Sequence, residues 1–325
     1  MRKSFYLVIV ILMLSATGYA RKKPEYRIFR TDSKIVYGIC FTDKGGALAI
    51  ADNNTIKVYS TNEDLLLNEF KNGHRRQIIT LSVSKDSTLM VTGGKDSTIV
   101  LWDFVNARVL KRLSYHHGII TSVHISNDQR YIVSGGTDRK VFIYDIESDR
   151  LIHEFSDHSD DINSVKFSHD GNWIASAGSD KIVNIYSTAE LRLTASLTGH
   201  KGWVRDIAFS HDSTMLISCG DDSRLITWRF SKASGIYPEK SLKASRSWLL
   251  STDIHPDGST YATGDINGVI KVFTHFVSYT AKIMVPVNKI LFKPDNSSMI
   301  KIAVATRGKG VFLMGAQDMK LKPLR

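Results

Sequence analysis

His74, His116, His158 and His200 follow one another at intervals of 42 residues. Nine residues after each histidine stands an apolar residue followed by serine: Val83-Ser84, Ile125-Ser126, Phe167-Ser168 and Phe209-Ser210. Twenty-two residues after each comes an aspartate (Asp96, Asp138, Asp180, Asp222), and six further on an aromatic residue (Trp102, Tyr144, Tyr186, Trp228). Four registers coinciding at one period make this a repeat of a single supersecondary unit, each copy burying its apolar faces against its neighbours.

Within a unit the pattern is that of short strands. Residues Asp161 to Phe167 alternate in polarity, Ser168-His169-Asp170-Gly171 reads as a turn, and Trp173 to Ser176 as a second strand. A turn at Gly178-Ser179-Asp180 leads to a third strand, Ile182 to Tyr186, and Leu191 to Leu197 forms a fourth. Such strands, with turn signals every eight to twelve residues, indicate an all-β sandwich, barrel or propeller. Four strands at a period near 42 select the propeller.

The period continues outward with decay. Asp32 opens an earlier unit, with a turn at Asp52-Asn53-Asn54 and a third strand ending at Tyr59. Ser245 opens a sixth, and the seventh runs through Ile290 to Asp295, Ile302 to Thr306 and Val311 to Met314 without histidine, turn aspartate or tryptophan. The count is seven blades of four antiparallel strands, with a terminal strand closing the ring so that no sheet edge stays long and bare. Either Tyr26 to Arg30 or the tail Met319 to Leu324 could supply that strand, and Pro323 suits an edge.

The Gly-His starts (Gly73-His74, Gly199-His200), the Trp-Asp end (Trp102-Asp103) and the turn aspartates resemble WD repeats, and the resemblance covers residues 25 to 316. It implies a seven-bladed WD-repeat β-propeller acting as a platform for other proteins. It also implies an in-blade hydrogen-bond network, in which tryptophan N–H meets a hydroxyl, the hydroxyl meets the histidine, and the turn aspartate holds the histidine. The residues concerned are Thr92, His74, Asp96 and Trp102, then Ser134, His116 and Asp138, then Ser176, His158 and Asp180, then Ser218, His200, Asp222 and Trp228. Tyr144 and Tyr186 replace tryptophan in the third and fourth blades, which puts the first link in doubt there.

Ser218, His200 and Asp222 also resemble a hydrolytic triad, but a nucleophile occupies one strained, exposed site with an oxyanion hole. Four copies at one period point to a structural motif. Gly93-Gly94-Lys95-Asp96 is not a phosphate loop, because Asp96 stands where serine or threonine must hold magnesium. No cysteine or carboxylate cluster adjoins His116-His117, and no zinc, calcium or flavin signature is present, so no cofactor or metal is expected.

Arg2 and Lys3, the apolar run Phe5 to Leu14 and the small residues ending at Ala20 read as a secretory signal over residues 1–20. Ten apolar residues are short for a membrane span, which needs about 20; retention as an anchor stays open. Residues 21–325 then form one propeller domain. The chain holds 43 lysine and arginine against 32 aspartate and glutamate residues. Without Arg2 and Lys3 the balance is 41 against 32, or +9. A basic chain often meets nucleic acid, but export and the scatter of the charges argue against it here. Cys40 and Cys219 fall in different blades and read as buried free thiols.

The residues just after each histidine are expected on one face of the ring. Three on come Ile35, Gln77, Ile119, Asp161, Trp203 and Trp248; five on come Tyr37, Ile79, Thr121, Asn163, Arg205 and Leu250. Trp203 and Trp248 occupy matching places in adjacent blades beside Arg205, the residue types of an interaction hot spot. Tyr37, Gln77 and Asp161 complete the candidate partner site. The expected function is a non-enzymatic interaction scaffold, exported to the periplasm, cell envelope or outside. A bacterial envelope assembly, with the membrane reached only through a partner, is the first reading and a eukaryotic secreted protein the second. A glycan- or small-molecule-binding propeller is the alternative, and an enzyme with its site in the central tunnel is the least favoured.

Overall fold

The computed structural model describes residues 26–42, 44–63, 65–231, 235–274, 277–294, 300–316 and 319–323; the stretch read as an export signal lies outside them. Every helix or strand element among these residues is a strand. The strands form seven antiparallel sheets, each with its strands side by side in chain order apart from the terminal additions. The inner strands follow in cyclic contact: Ile39–Phe41, Ile78–Val83, Ile120–Ile125, Ile162–Phe167, Val204–Phe209, Leu249–Ile254 and Val287–Phe292. The last meets the first, and a closed seven-bladed propeller results.

Burial follows from this arrangement. The second strand of a blade, such as Leu89–Gly94, is covered on both faces by neighbouring blades and is almost wholly buried. The outermost, such as Arg108–Leu113, alternates between exposed and covered positions. Each core cluster therefore combines two blades: Ala49, Ile56 and Phe70 of blade one pack with Met90, Val100 and Trp102 of blade two. Blade seven packs on blade one through Ala303, Val311, Ile39 and Leu48.

Both candidate closing segments form strands, in different blades. Tyr26–Phe29 pairs with Val311–Gly315 and supplies the outer strand of blade seven, with Tyr26 opposite Met314. The tail strand Lys320–Pro323 instead extends blade six, pairing with Val277–Lys282. The serine that recurs ten residues after each histidine closes the turn between the first two strands. Ser84 Oγ donates to Asp86 (2.7 Å) and accepts the Leu89 N–H (2.9 Å), and Ser126, Ser168 and Ser210 repeat both bonds.

Candidate functional site

The histidines stand in the loops entering each blade and reach the turn between the second and third strands. In blade two, Trp102 Nε1–H donates to Thr92 Oγ1 (2.8 Å), and His74 Nε2 lies 2.7 Å from that oxygen. His74 Nδ1 meets Asp96 at 3.0 Å, and Asp96 also accepts the Arg75 N–H (2.8 Å). With a carboxylate on Nδ1, the imidazole carries its proton there and Nε2 accepts from the hydroxyl. Burial lowers the His74 pKa despite the pull of Asp96. Blade five repeats the set, with Trp228 to Ser218 at 2.9 Å and His200 to Ser218 at 2.8 Å.

Tyrosine does not replace tryptophan in this role. Tyr144 turns its hydroxyl to Asp149, leaving Ser134 with His116 (2.8 Å), whose Nδ1 meets Asp138 (2.8 Å). In blade four His158 joins Ser176 (2.7 Å) and Asp180 (2.8 Å), while Tyr186 stands at the limit of bonding, 3.5 Å from Ser176. The glycine before the histidine belongs to the same arrangement. A Cβ at Gly73 would fall on the Trp102 ring, and one at Gly199 would stand 3.3 Å from Trp228. Tyr115 and Asp157 take that place in the two tyrosine blades. Ser218 is fully buried, and its four-fold recurrence ties entry loop to turn in blade after blade.

The network aims the residues that follow it. The carbonyls of Gln77, Ile119, Asp161, Trp203 and Trp248 each accept a backbone N–H from their own blade's turn at 2.8–3.0 Å. The backbone is thus fixed while the side chains stand free. Trp203 and Trp248 are 45% and 50% exposed, in adjacent blades and without a ring contact between them. Gln77 and Asp161 are half-buried, and Gln77 reaches the Ile35 carbonyl at 3.3 Å. Burial and neighbouring Asp160 raise the Asp161 pKa.

The residues five on are turned inward by a bulge. In blades two to seven the pairing of first and second strands skips Ile79, Thr121, Asn163, Arg205, Leu250 and Asn288. A bulge re-aims the side chain it releases, and these six, with Tyr37, ring the mouth of a central cavity of about 340 Å³. Arg205 joins mouth to face: its guanidinium lies 4.6 Å from the centre of the Trp203 ring and forks onto Asp221 with two bonds of 2.7 Å. Lys95 Nζ of blade two stands 5.6 Å from the Tyr37 ring of the adjacent blade one. Met284 is 66% exposed in the loop entering blade seven.

Sequence reasoning also missed the channel below the mouth, where one position per blade differs chemically from the next. Asp206 accepts from Lys289 Nζ (2.6 Å), Ser251 Oγ (2.7 Å), Ser164 Oγ (3.0 Å) and the N–H groups of Ile207 and Thr252 (3.1 and 3.2 Å). The charges of Lys289 and Lys166, with the Lys289 and Ser251 hydrogen bonds, keep its pKa low although it is buried. His124 Nδ1 accepts the Phe167 N–H (3.2 Å) and Asp253 the Phe292 N–H (2.8 Å), stitching one inner strand to the next. Lys166 and Cys40 face the same cavity. Cys40 is half-buried there rather than buried as expected, while Cys219 is buried, and both are free thiols. Among the described residues no group of three histidine, cysteine, aspartate or glutamate side chains could hold a metal.

Residues 80–249 match the family of the second β-propeller of echinoderm microtubule-associated proteins. A stretch of 84 residues is 33% identical to methylosome protein WDR77 of Xenopus laevis, spanning 25% of each chain.

Proposed function

The chain belongs to the WD-repeat β-propeller family, and on that premise we propose that it is an exported scaffold whose partner protein docks on the Trp203–Trp248 face. Propellers of this family are typically non-enzymatic and bind protein partners. The observation that carries the reading is the pair of exposed tryptophans at one register in adjacent blades, each on a backbone fixed by its own turn. Rigid, amphipathic indoles lose little conformational entropy on binding, which is why tryptophan dominates interaction hot spots. Arg205 already covers one face of Trp203. Tyr37, Gln77 and Asp161 would form the polar rim of the contact. The signal-like residues 1–20 support action in a bacterial envelope assembly, with membrane contact made through the partner.

The test is affinity capture of the tagged chain from its own cell envelope, beside a Trp203→Ala/Trp248→Ala variant that unfolds at the same temperature. A stoichiometric protein held by the wild type and lost in the variant is the expected result. Equal capture by both would move the interface elsewhere on the ring.

A further inference from the structure

The channel holds more donors than the protein satisfies. Its two carboxylates are engaged: Asp206 has its five donors, and Asp253 takes the Phe292 N–H. The cations are not matched in the same way. Lys289 is paired with Asp206, but Lys166 makes no hydrogen bond or ion pair with any described residue. Beside it, at the same place in the adjacent blade, His124 uses Nδ1 as an acceptor. In the neutral ring the proton therefore sits on Nε2, and no described residue accepts it. Ala208 occupies that register in the next blade, so a methyl group separates Lys166 from Asp253 and leaves the space between them open.

The Asp206 and Asp253 carboxylates attract the Lys166 ammonium without bonding it, so its hydrogen-bond donors, like His124 Nε2–H, are left to whatever occupies the cavity. The cavity, about 340 Å³, is far larger than a single ordered water needs. That volume lies in the range of about 300–1,000 Å³ typical of small-molecule sites. We propose that the channel binds a small solute bearing a carboxylate or phosphate group, whose oxygens accept from the Lys166 ammonium and from His124 Nε2–H. The solute enters through the mouth ringed by Arg205, Asn163 and Thr121. Burial and the charge of Lys289 push the Lys166 pKa down, and burial with Lys166, His169 and Lys289 pushes that of His124 further down. An anion between them would raise both. The inference is independent of the docking face, and either can fail without the other.

The test uses the chain from residue 21 onward, titrated calorimetrically with succinate and, separately, with inorganic phosphate. Lys166→Met is compared with Lys201→Met, a change at an exposed entry-loop lysine outside the cavity. Saturable binding of at least one probe, weakened about tenfold or more by Lys166→Met and unchanged by Lys201→Met, is the expected result. In probe-free buffer Lys166→Met should unfold at the same temperature as the wild type or higher, because the burial cost of the ammonium outweighs the attraction of Asp206 and Asp253. Binding of neither probe at millimolar concentration would overturn the proposal, as would equal binding by Lys166→Met. A lowered unfolding temperature for Lys166→Met would also overturn it, by showing that the protein itself satisfies the ammonium.

Discussion

Ser218 and Ser134 occupy the same position in blades five and three, both are buried, and both bond a histidine at 2.8 Å. They differ in one respect: Trp228 donates to Ser218 at 2.9 Å, whereas Tyr144 turns away from Ser134 toward Asp149. Ser218→Ala therefore strands two buried groups, the indole N–H and the imidazole Nε2, while Ser134→Ala strands only the imidazole. Leaving a buried polar group unsatisfied costs about 1–3 kcal/mol. The expected losses are about 4 kcal/mol for Ser218→Ala and about 2 kcal/mol for Ser134→Ala. The chemical change is identical in both, so the difference isolates the tryptophan link. Urea unfolding at equilibrium, followed by tryptophan fluorescence and circular dichroism, would measure both losses, with unchanged slopes confirming that the same surface is exposed. Equal losses, or a larger one for Ser134→Ala, would refute the idea that the indole bond adds stability to the histidine network.

Two further outcomes follow from the same geometry. Gly73→Ala drives a methyl group into the Trp102 ring, whereas Gly199→Ala meets Trp228 at 3.3 Å; the first should cost about 1–3 kcal/mol and the second well under that, as overpacking does where neighbours cannot move. Thermal unfolding would compare the two variants, and a larger loss at Gly199 would contradict the packing described. Burial pushes the Asp253 carboxyl up to about 6. An acid with a raised folded pKa binds protons more tightly when folded, so its favourable contribution is complete below the unfolded value and lost as pH rises through about 6. Asp253→Asn, whose amide oxygen can still accept the Phe292 N–H, should change little near pH 4. It should stabilise progressively toward pH 7, by at most about 3 kcal/mol, and melting curves showing no pH-dependent gain would remove the basis for that pKa.

The parts of the molecule that repeat chemically were legible in the sequence. Histidine, serine, aspartate and aromatic positions recur at one spacing because each blade needs the same turn, the same latch and the same packing. Ring closure was not legible, because Tyr26–Phe29 and Lys320–Pro323 are both short edge-compatible segments and only the three-dimensional register assigns them to blades seven and six. The channel was hidden for the opposite reason. Cys40, Ser82, His124, Lys166, Ala208, Asp253 and Leu291 share a single register. A position that changes in every repeat gives no periodic signal, and it was read as ordinary strand alternation. The tryptophan latch is intermediate: its loss in blades three and four was visible as Tyr144 and Tyr186, but where the tyrosine hydroxyls go was not.

The most direct test of the scaffold reading is site-specific photo-crosslinking in intact cells. A photoreactive amino acid would replace Trp203 or Trp248 on the docking face, and Leu110 or Ile152 on the outer strands, where the side chains are also exposed. One discrete protein adduct is expected from positions 203 and 248 and none from 110 and 152. Adducts from the outer strands alone would place the partner on the rim of the ring and contradict the assignment of the tryptophan face.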